Sequence, residues 1–101
     1  MAHTLQVLYR QPENPDAFRR YYLEHHLPLA REIPGAIALR YTIEVDSLTE
    51  QSPFIAVFEA DFTDVESMHA ALASAEGQRA QNDVGNFASG GLEILHFSQH
   101  C

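Results

Sequence analysis

NPDAFRRYYLEHHLPLAREIPG, residues Asn14 to Gly35, holds a helix start, the pair His25-His26, an internal proline and a Pro-Gly exit. Asn14 suits an N-cap, because its side-chain oxygen can accept a free first-turn amide. Pro15 suits the first helical position, where no donor is missed. Phe18, Tyr21, Tyr22, His25, Leu29 and Ile33 recur at three- and four-residue steps, so a regular helix puts them on one face. At about 100° per residue, His25 falls near the middle of that face and His26 near its edge. Pro28 has no N–H for the Glu24 carbonyl and its ring crowds Leu27, so the helix should kink or break near Leu27. His26 then lies beside a disturbed turn, and Pro34-Gly35 closes the segment.

Strand patterns flank this helix. From His3 to Arg10, Leu5, Val7 and Tyr9 alternate with Thr4, Gln6 and Arg10, the mark of a half-buried strand. From Ala36 to Val45, Ile37, Leu39, Tyr41, Ile43 and Val45 alternate with Arg40, Thr42 and Glu44. Asp46 to Pro53 is polar and reads as a hairpin loop. Phe54 to Phe62 begins apolar on both parities, which predicts a strand covered on both faces.

Thr63-Asp64-Val65-Glu66 has the form of a capping box, and the helix it opens carries Val65, Met68 and Leu72 on one side. Ser74 to Phe87 reads as a second short helical piece, interruptible at Gly77, with Ala80, Val84 and Phe87 as its apolar contacts. Gly90-Gly91 turns the chain into a last strand, Leu92 to Phe97. The order β-α-β-β-α-(α)-β predicts an α+β, ferredoxin-like βαββαβ domain, an antiparallel sheet with helices on one face. Apolar residues on both parities of the central strands ask for a second layer, and a C2 homodimer is the economical way to supply it.

Size and charge narrow the function classes. A chain of 101 residues predicts one domain over 1–101, and 46% apolar residues predict a folded core. The formal net charge of −8 opposes phosphate backbones and anionic membranes, so neither nucleic acid nor a membrane is an expected partner. Cys101 is the only cysteine and excludes an internal disulfide, which fits a reducing cytoplasm. No signal-like opening and no run of 18 apolar residues occurs, so a soluble, cytoplasmic protein is expected.

Six histidines call for a test of metal binding. Adjacent His25 and His26 point about 100° apart and cannot chelate one ion as an i, i+4 pair would. His96 and His100 have a useful interval, but His100 is almost terminal. No Cys-x-x-Cys, His-Glu-x-x-His, phosphate loop, nucleophile elbow or nucleotide fingerprint is present, so neither metal nor cofactor is expected.

The segment FRRYYLEHHLPLAREIPG resembles the EthD-type family of the dimeric α+β barrel superfamily, whose first helix carries Phe-x-x-Tyr-Tyr-x-x-x-His-x-Pro-Leu. Phe18, Tyr21, Tyr22, His26, Pro28 and Leu29 meet that pattern. ASAEGQRAQNDVGNF, from Ala73 to Phe87, is similar to the family's second half, where an Asp precedes Asn-Phe. The resemblance implies a barrel of two sheets across a homodimer, and names His26 as the histidine for acid–base work on a small cyclic or aromatic compound.

An imidazole with an ordinary pKa near 6.5 can take or give a proton at neutral pH. The structural alternative is that His26 hydrogen-bonds the turn loosened by Pro28. His25, favoured by periodicity alone, is expected as an interior or interface histidine, or as a contact to substrate. Tyr22, Tyr41 and Phe87 are core residues by pattern and candidates to line a pocket. Asp83 either orients a histidine or substrate, or is a helix-surface carboxylate.

The expected function is cofactor-independent catalysis, isomerisation or proton transfer, on a small hydrophobic ring compound in a degradation or secondary-metabolism pathway. A non-catalytic small-ligand-binding or accessory protein of an oxygenase system is the alternative. A cofactor-free monooxygenase on the same barrel would have to consume dioxygen.

Overall fold

The computed structural model describes residues 2–100, so the expectation attached to Cys101 lies outside the described residues. Four strands, β1 (His3–Arg10), β2 (Ala38–Thr42), β3 (Phe54–Phe62) and β4 (Leu92–Ser98), form one sheet in the order β2-β3-β1-β4. Every neighbouring pair is antiparallel. Helices α1 (Pro15–Tyr21), α2 (Leu27–Arg31), α3 (Val65–Ala73) and α4 (Ala75–Asp83) complete the ferredoxin-like α+β arrangement read from the sequence. A π-helical turn, Tyr22–His26, joins α1 to α2, and a 3-10 turn, Val84–Asn86, follows α4.

Alternation on β1 divides the sheet into two chemically different faces. Leu5, Val7 and Tyr9 are buried with Ala56, Phe58, Ala60 and Phe62 of β3 and with Phe18, Tyr22 and Leu27 of the helical layer. The opposite parity of the two central strands is polar over half its length. Thr4 pairs with Asp61 and Gln6 with Glu59, so the expectation of apolar residues on both faces is corrected there. Apolar groups on that outer face concentrate on β4, where Leu95 and Phe97 are 46% and 42% exposed. β2 pairs with β3 only and is shorter than its alternation predicts, ending at Thr42 rather than Val45.

Local chemistry explains the helix boundaries. The Asn14 side chain accepts the Ala17 N–H at 3.0 Å, and Pro15 stands at the helix start. At the third helix, the cap is Asp64 rather than the expected Thr63. Its carboxylate accepts the Ser67 N–H at 2.7 Å, and the Thr63 hydroxyl instead meets the Ser67 hydroxyl at 3.1 Å. Ser74 caps α4 through the Gly77 N–H, and the helix runs through Gly77 without interruption. Gly77 is there for close approach, because a Cβ would stand 2.2 Å from the Ala71 carbonyl oxygen.

Candidate active site

The first helix changes winding in its middle. The Leu27 N–H bonds to the Tyr22 carbonyl, five residues back, immediately before Pro28. Pro28 cannot donate and its ring crowds the preceding turn, and an extra residue in the winding opens that turn. The buried sequence becomes Phe18, Tyr22, His26, Leu27 and Ala30, and His25 is turned to solvent beside Tyr21. The regular-helix reading that centred His25 on the apolar face is therefore corrected. Its ring packs at 4.8 Å from Tyr21 and does not line the cavity described below.

His26 is 5% exposed and both ring nitrogens have partners. Nδ1 stands 3.0 Å from Asp83 Oδ2, and Nε2 stands 3.4 Å from the Tyr9 hydroxyl. Asp83 is itself held in place: its Oδ1 accepts the Tyr21 hydroxyl at 2.6 Å and the Asn86 amide at 3.0 Å. Burial alone would raise the Asp83 carboxyl, but these hydrogen bonds from Tyr21, Asn86 and His26 outweigh it and hold it below the usual carboxylate range. An ionised carboxylate can only accept, so Nδ1 of His26 carries the proton. In the neutral imidazole, Nε2 then carries the lone pair, which accepts the Tyr9 hydroxyl. Burial pushes the His26 pKa down, and the Asp83 hydrogen bond and charge recover only part of that shift.

His26 and Tyr9, whose hydroxyl meets Nε2, both line a cavity of about 140 Å³ between the helices and the sheet. Its walls are mainly apolar, with Leu5, Val7, Phe58, Val84 and Leu92 among them. Three lining side chains are polar: Tyr9, His26 and Gln81. The Gln81 amide is committed to the Leu72 and Gly77 carbonyls, at 2.8 and 3.0 Å. Burial, reinforced by the Asp83 charge, pushes the Tyr9 phenol far up, so its hydroxyl stays protonated.

The other sequence candidates separate by position. Phe87 packs its ring 4.6 Å from His26 and Tyr22 packs at 5.6 Å, so both fix the imidazole from behind rather than line the cavity. The Tyr22 hydroxyl is buried without a hydrogen-bond partner among the described residues. Tyr41 is 37% exposed, sits 5.9 Å from Tyr22 and lies outside the cavity. Tyr9, Tyr21 and Asn86 escaped the sequence reading as site residues. Tyr9 looks like one more apolar strand position, and the Tyr21 pairing with Asp83 joins residues 62 apart in sequence. Only the Asp83 and Asn86 spacing of three gave a local signal.

No group of three or more His, Cys, Asp or Glu side chains is placed to hold a metal among the described residues. No helix among them is long and apolar enough to cross a membrane.

A model of the EthD domain matches residues 10–91. The chain belongs to the EthD family. An uncharacterized 11.0 kDa protein in the thcB-thcC intergenic region of Rhodococcus erythropolis is 36% identical over 95 residues, 92% of this chain and 90% of that protein. The crystal structure of an EthD family protein from Bacillus halodurans C-125 superposes with a TM-score of 0.92 at 33% identity, covering 99% of this chain and 100% of that one. A dimeric ferredoxin-like protein of unknown function from Thermobifida fusca superposes with a TM-score of 0.75 at 14% identity, over 98% and 92% of the two chains. SnoaB from Streptomyces nogalater, described as a cofactor-independent oxygenase, shares the fold at 17% identity with a TM-score of 0.64, over 99% and 93%.

Proposed function

We propose that this EthD protein catalyses a cofactor-independent proton transfer, such as an isomerisation, on a small hydrophobic ring compound, with His26 as general base and acid. One observation carries the reading. Asp83 occupies Nδ1 of a buried imidazole that lines a largely apolar cavity, and Nε2 is the nitrogen left to take a proton. A base so oriented has a single reactive nitrogen, and its lowered pKa keeps it unprotonated at neutral pH. Asp83 acts as a positioning residue, fixing the tautomer and stabilising the imidazolium formed when Nε2 takes a proton. SnoaB, described as a cofactor-independent oxygenase, supports the view that this fold can host chemistry without a cofactor.

We further infer that the working unit is a homodimer joined through the outer sheet face, as the dimeric description of the Thermobifida protein suggests. Sedimentation equilibrium should return twice the chain mass, and a single-chain mass would reject it.

The site is tested by a thermal-shift screen with small lactones, quinones, phenols and cyclic ethers on the wild type and His26→Ala. A ligand at about 100 times its dissociation constant adds about 2.7 kcal/mol of stability. Turnover of the compound that binds should fall at least about a hundredfold in His26→Ala, the usual scale for a lost acid–base group. Retained turnover would remove His26 from the chemistry. Binding without turnover in either protein would leave a ligand-binding protein.

A further inference from the structure

We propose that Tyr9 is a second catalytic residue, donating a hydrogen bond to the carbonyl oxygen of a single-ring substrate while His26 removes a proton from the adjacent carbon. The inference rests on His26 being the base. Three observations lead to it: the separation of two polar atoms, the commitment of every other polar side chain on the cavity wall, and the size of the space.

In a carbonyl compound, the acidic carbon and the oxygen that receives its electrons are two bonds apart. Groups that serve both must therefore lie close together and converge from one side. The Tyr9 hydroxyl and His26 Nε2 are 3.4 Å apart, a long contact at the edge of hydrogen-bond range. Resting contacts of this length commonly reorganise when substrate enters. Nε2 has the lone pair to accept a proton, and the Tyr9 hydroxyl can leave Nε2 for an incoming oxygen.

No other side chain on the cavity wall can take that role. The Gln81 amide already donates to two backbone carbonyls, and the rest of the lining is apolar. A carbonyl desolvated in such a space costs free energy unless a donor meets it. Tyr9 is also rigidly placed, since its ring is 2% exposed and packs against Phe18, Tyr22 and Phe87 at 5.5 to 5.7 Å. It is the last β1 residue before a register shift: Tyr9 faces Ala56 while Arg10 faces Phe54. Such irregularities are common where a sheet aims a side chain at a site.

The cavity of about 140 Å³ sets the substrate's size. An apolar cavity of about 150 Å³ holds one benzene ring, so a monocyclic ketone is the class that fits. The step balances without a co-reactant. The C–H bond breaks and its proton goes to Nε2. The electron pair forms a carbon–carbon double bond, and the carbonyl π pair moves onto oxygen, where the Tyr9 O–H donates without being transferred. Return of the Nε2 proton to carbon completes an exchange, or an isomerisation if a different carbon receives it.

The test uses cyclohexanone in deuterated water with wild type, Tyr9→Phe and His26→Gln. Proton NMR follows exchange of the ring's acidic hydrogens, and infrared difference spectroscopy follows the bound carbonyl stretch. Wild type should exchange faster than buffer and show a carbonyl stretch red-shifted from its value in an aprotic solvent. Tyr9→Phe should exchange at least about tenfold more slowly and lose the red shift. His26→Gln should lose exchange and keep it.

Wild-type exchange in Tyr9→Phe, an aprotic carbonyl frequency in the wild type, or no binding of cyclohexanone would each overturn the proposal. Should Tyr9→Phe fail to fold, the wild-type frequency decides alone. Undiminished exchange in His26→Gln would instead overturn His26 as the base, while the carbonyl stretch still judges Tyr9.

Discussion

Two hydrogen-bonded carboxylates, one on each side of the sheet, are solved by the same hydrogen-bond arithmetic to different ends. On the outer face, Asp61 accepts the Thr4 hydroxyl at 2.7 Å, two Arg40 nitrogens at 2.9 and 3.2 Å, and the Gln99 amide at 3.2 Å. Arg40 spends its remaining Nε on Glu59 at 2.7 Å, and Glu59 also accepts the Gln6 amide at 2.6 Å. The guanidinium is always charged and every strong partner is used, so the network closes on itself. Asp83 likewise has three donors, from Tyr21, Asn86 and His26. One of those donors is an imidazole that lines a cavity and has a second nitrogen, which meets the Tyr9 hydroxyl. A carboxylate paired to arginine fixes a structure. A carboxylate paired to histidine fixes a structure and leaves a proton acceptor.

Removing each carboxylate should separate these roles. The Arg40 hydrogen bond leads the causes that hold the Asp61 carboxyl below its usual range, so the pair contributes in the folded state. Asp61→Ala should cost about 2–3 kcal/mol in urea unfolding, less than a fully buried pair because the Arg40 side chain is 48% exposed. Asp83→Asn keeps an accepting oxygen and should cost only about 1 kcal/mol. Its larger effect falls on His26, whose pKa should drop further once the charge opposing the burial effect is gone. An NMR titration of the His26 ring checks this. Asp61→Ala should leave that titration in place. If Asp83→Asn leaves it in place too, both carboxylates are structural and the contrast fails.

What the sequence disclosed follows the range of the forces involved. Strand alternation is local, and β1 and β3 occupy the residues their patterns predict. β2 falls short of its pattern while β4, the other edge strand, does not, so alternation alone does not set where an edge strand ends. The turn in the first helix was legible as a disturbance, since Pro28 announces it. Its winding was not, because hydrophobic spacing cannot distinguish a kink from an inserted residue. That difference exchanged the positions of His25 and His26, and only the family pattern pointed to His26. The Tyr9 and Tyr21 roles depend on contacts across the fold, for which spacing carries no signal. Asp64 displaced Thr63 as the cap because a carboxylate is an equally good acceptor one residue nearer the helix.

The smallest effect concerns pH, and the window in which it acts distinguishes the two sides of the sheet. Burial holds the folded pKa of His26 below the ordinary value near 6.5, even with Asp83 opposing it. Below about pH 6.5 the unfolded chain takes up a proton that folded His26 refuses, so stability falls with falling pH until the folded imidazole titrates. Above that pH the contribution is constant and fully present. Asp61 behaves differently, because its lowered carboxyl pKa costs nothing until the pH falls toward the ordinary carboxylate range near 3.8. Between about pH 6.5 and 4.5, therefore, the stability difference between wild type and His26→Gln should shrink as pH falls. The slope cannot exceed about 1.36 kcal/mol per pH unit for one proton. Urea midpoints measured across that window decide it, with the Asp61→Ala difference as a flat reference. A His26 difference that is also flat, or that grows toward acid, would mean that the imidazole takes a proton at least as readily in the folded protein as in the unfolded one. The base at the cavity wall would then be protonated over the same pH range as a free histidine, and the distinction between the two carboxylates would no longer hold.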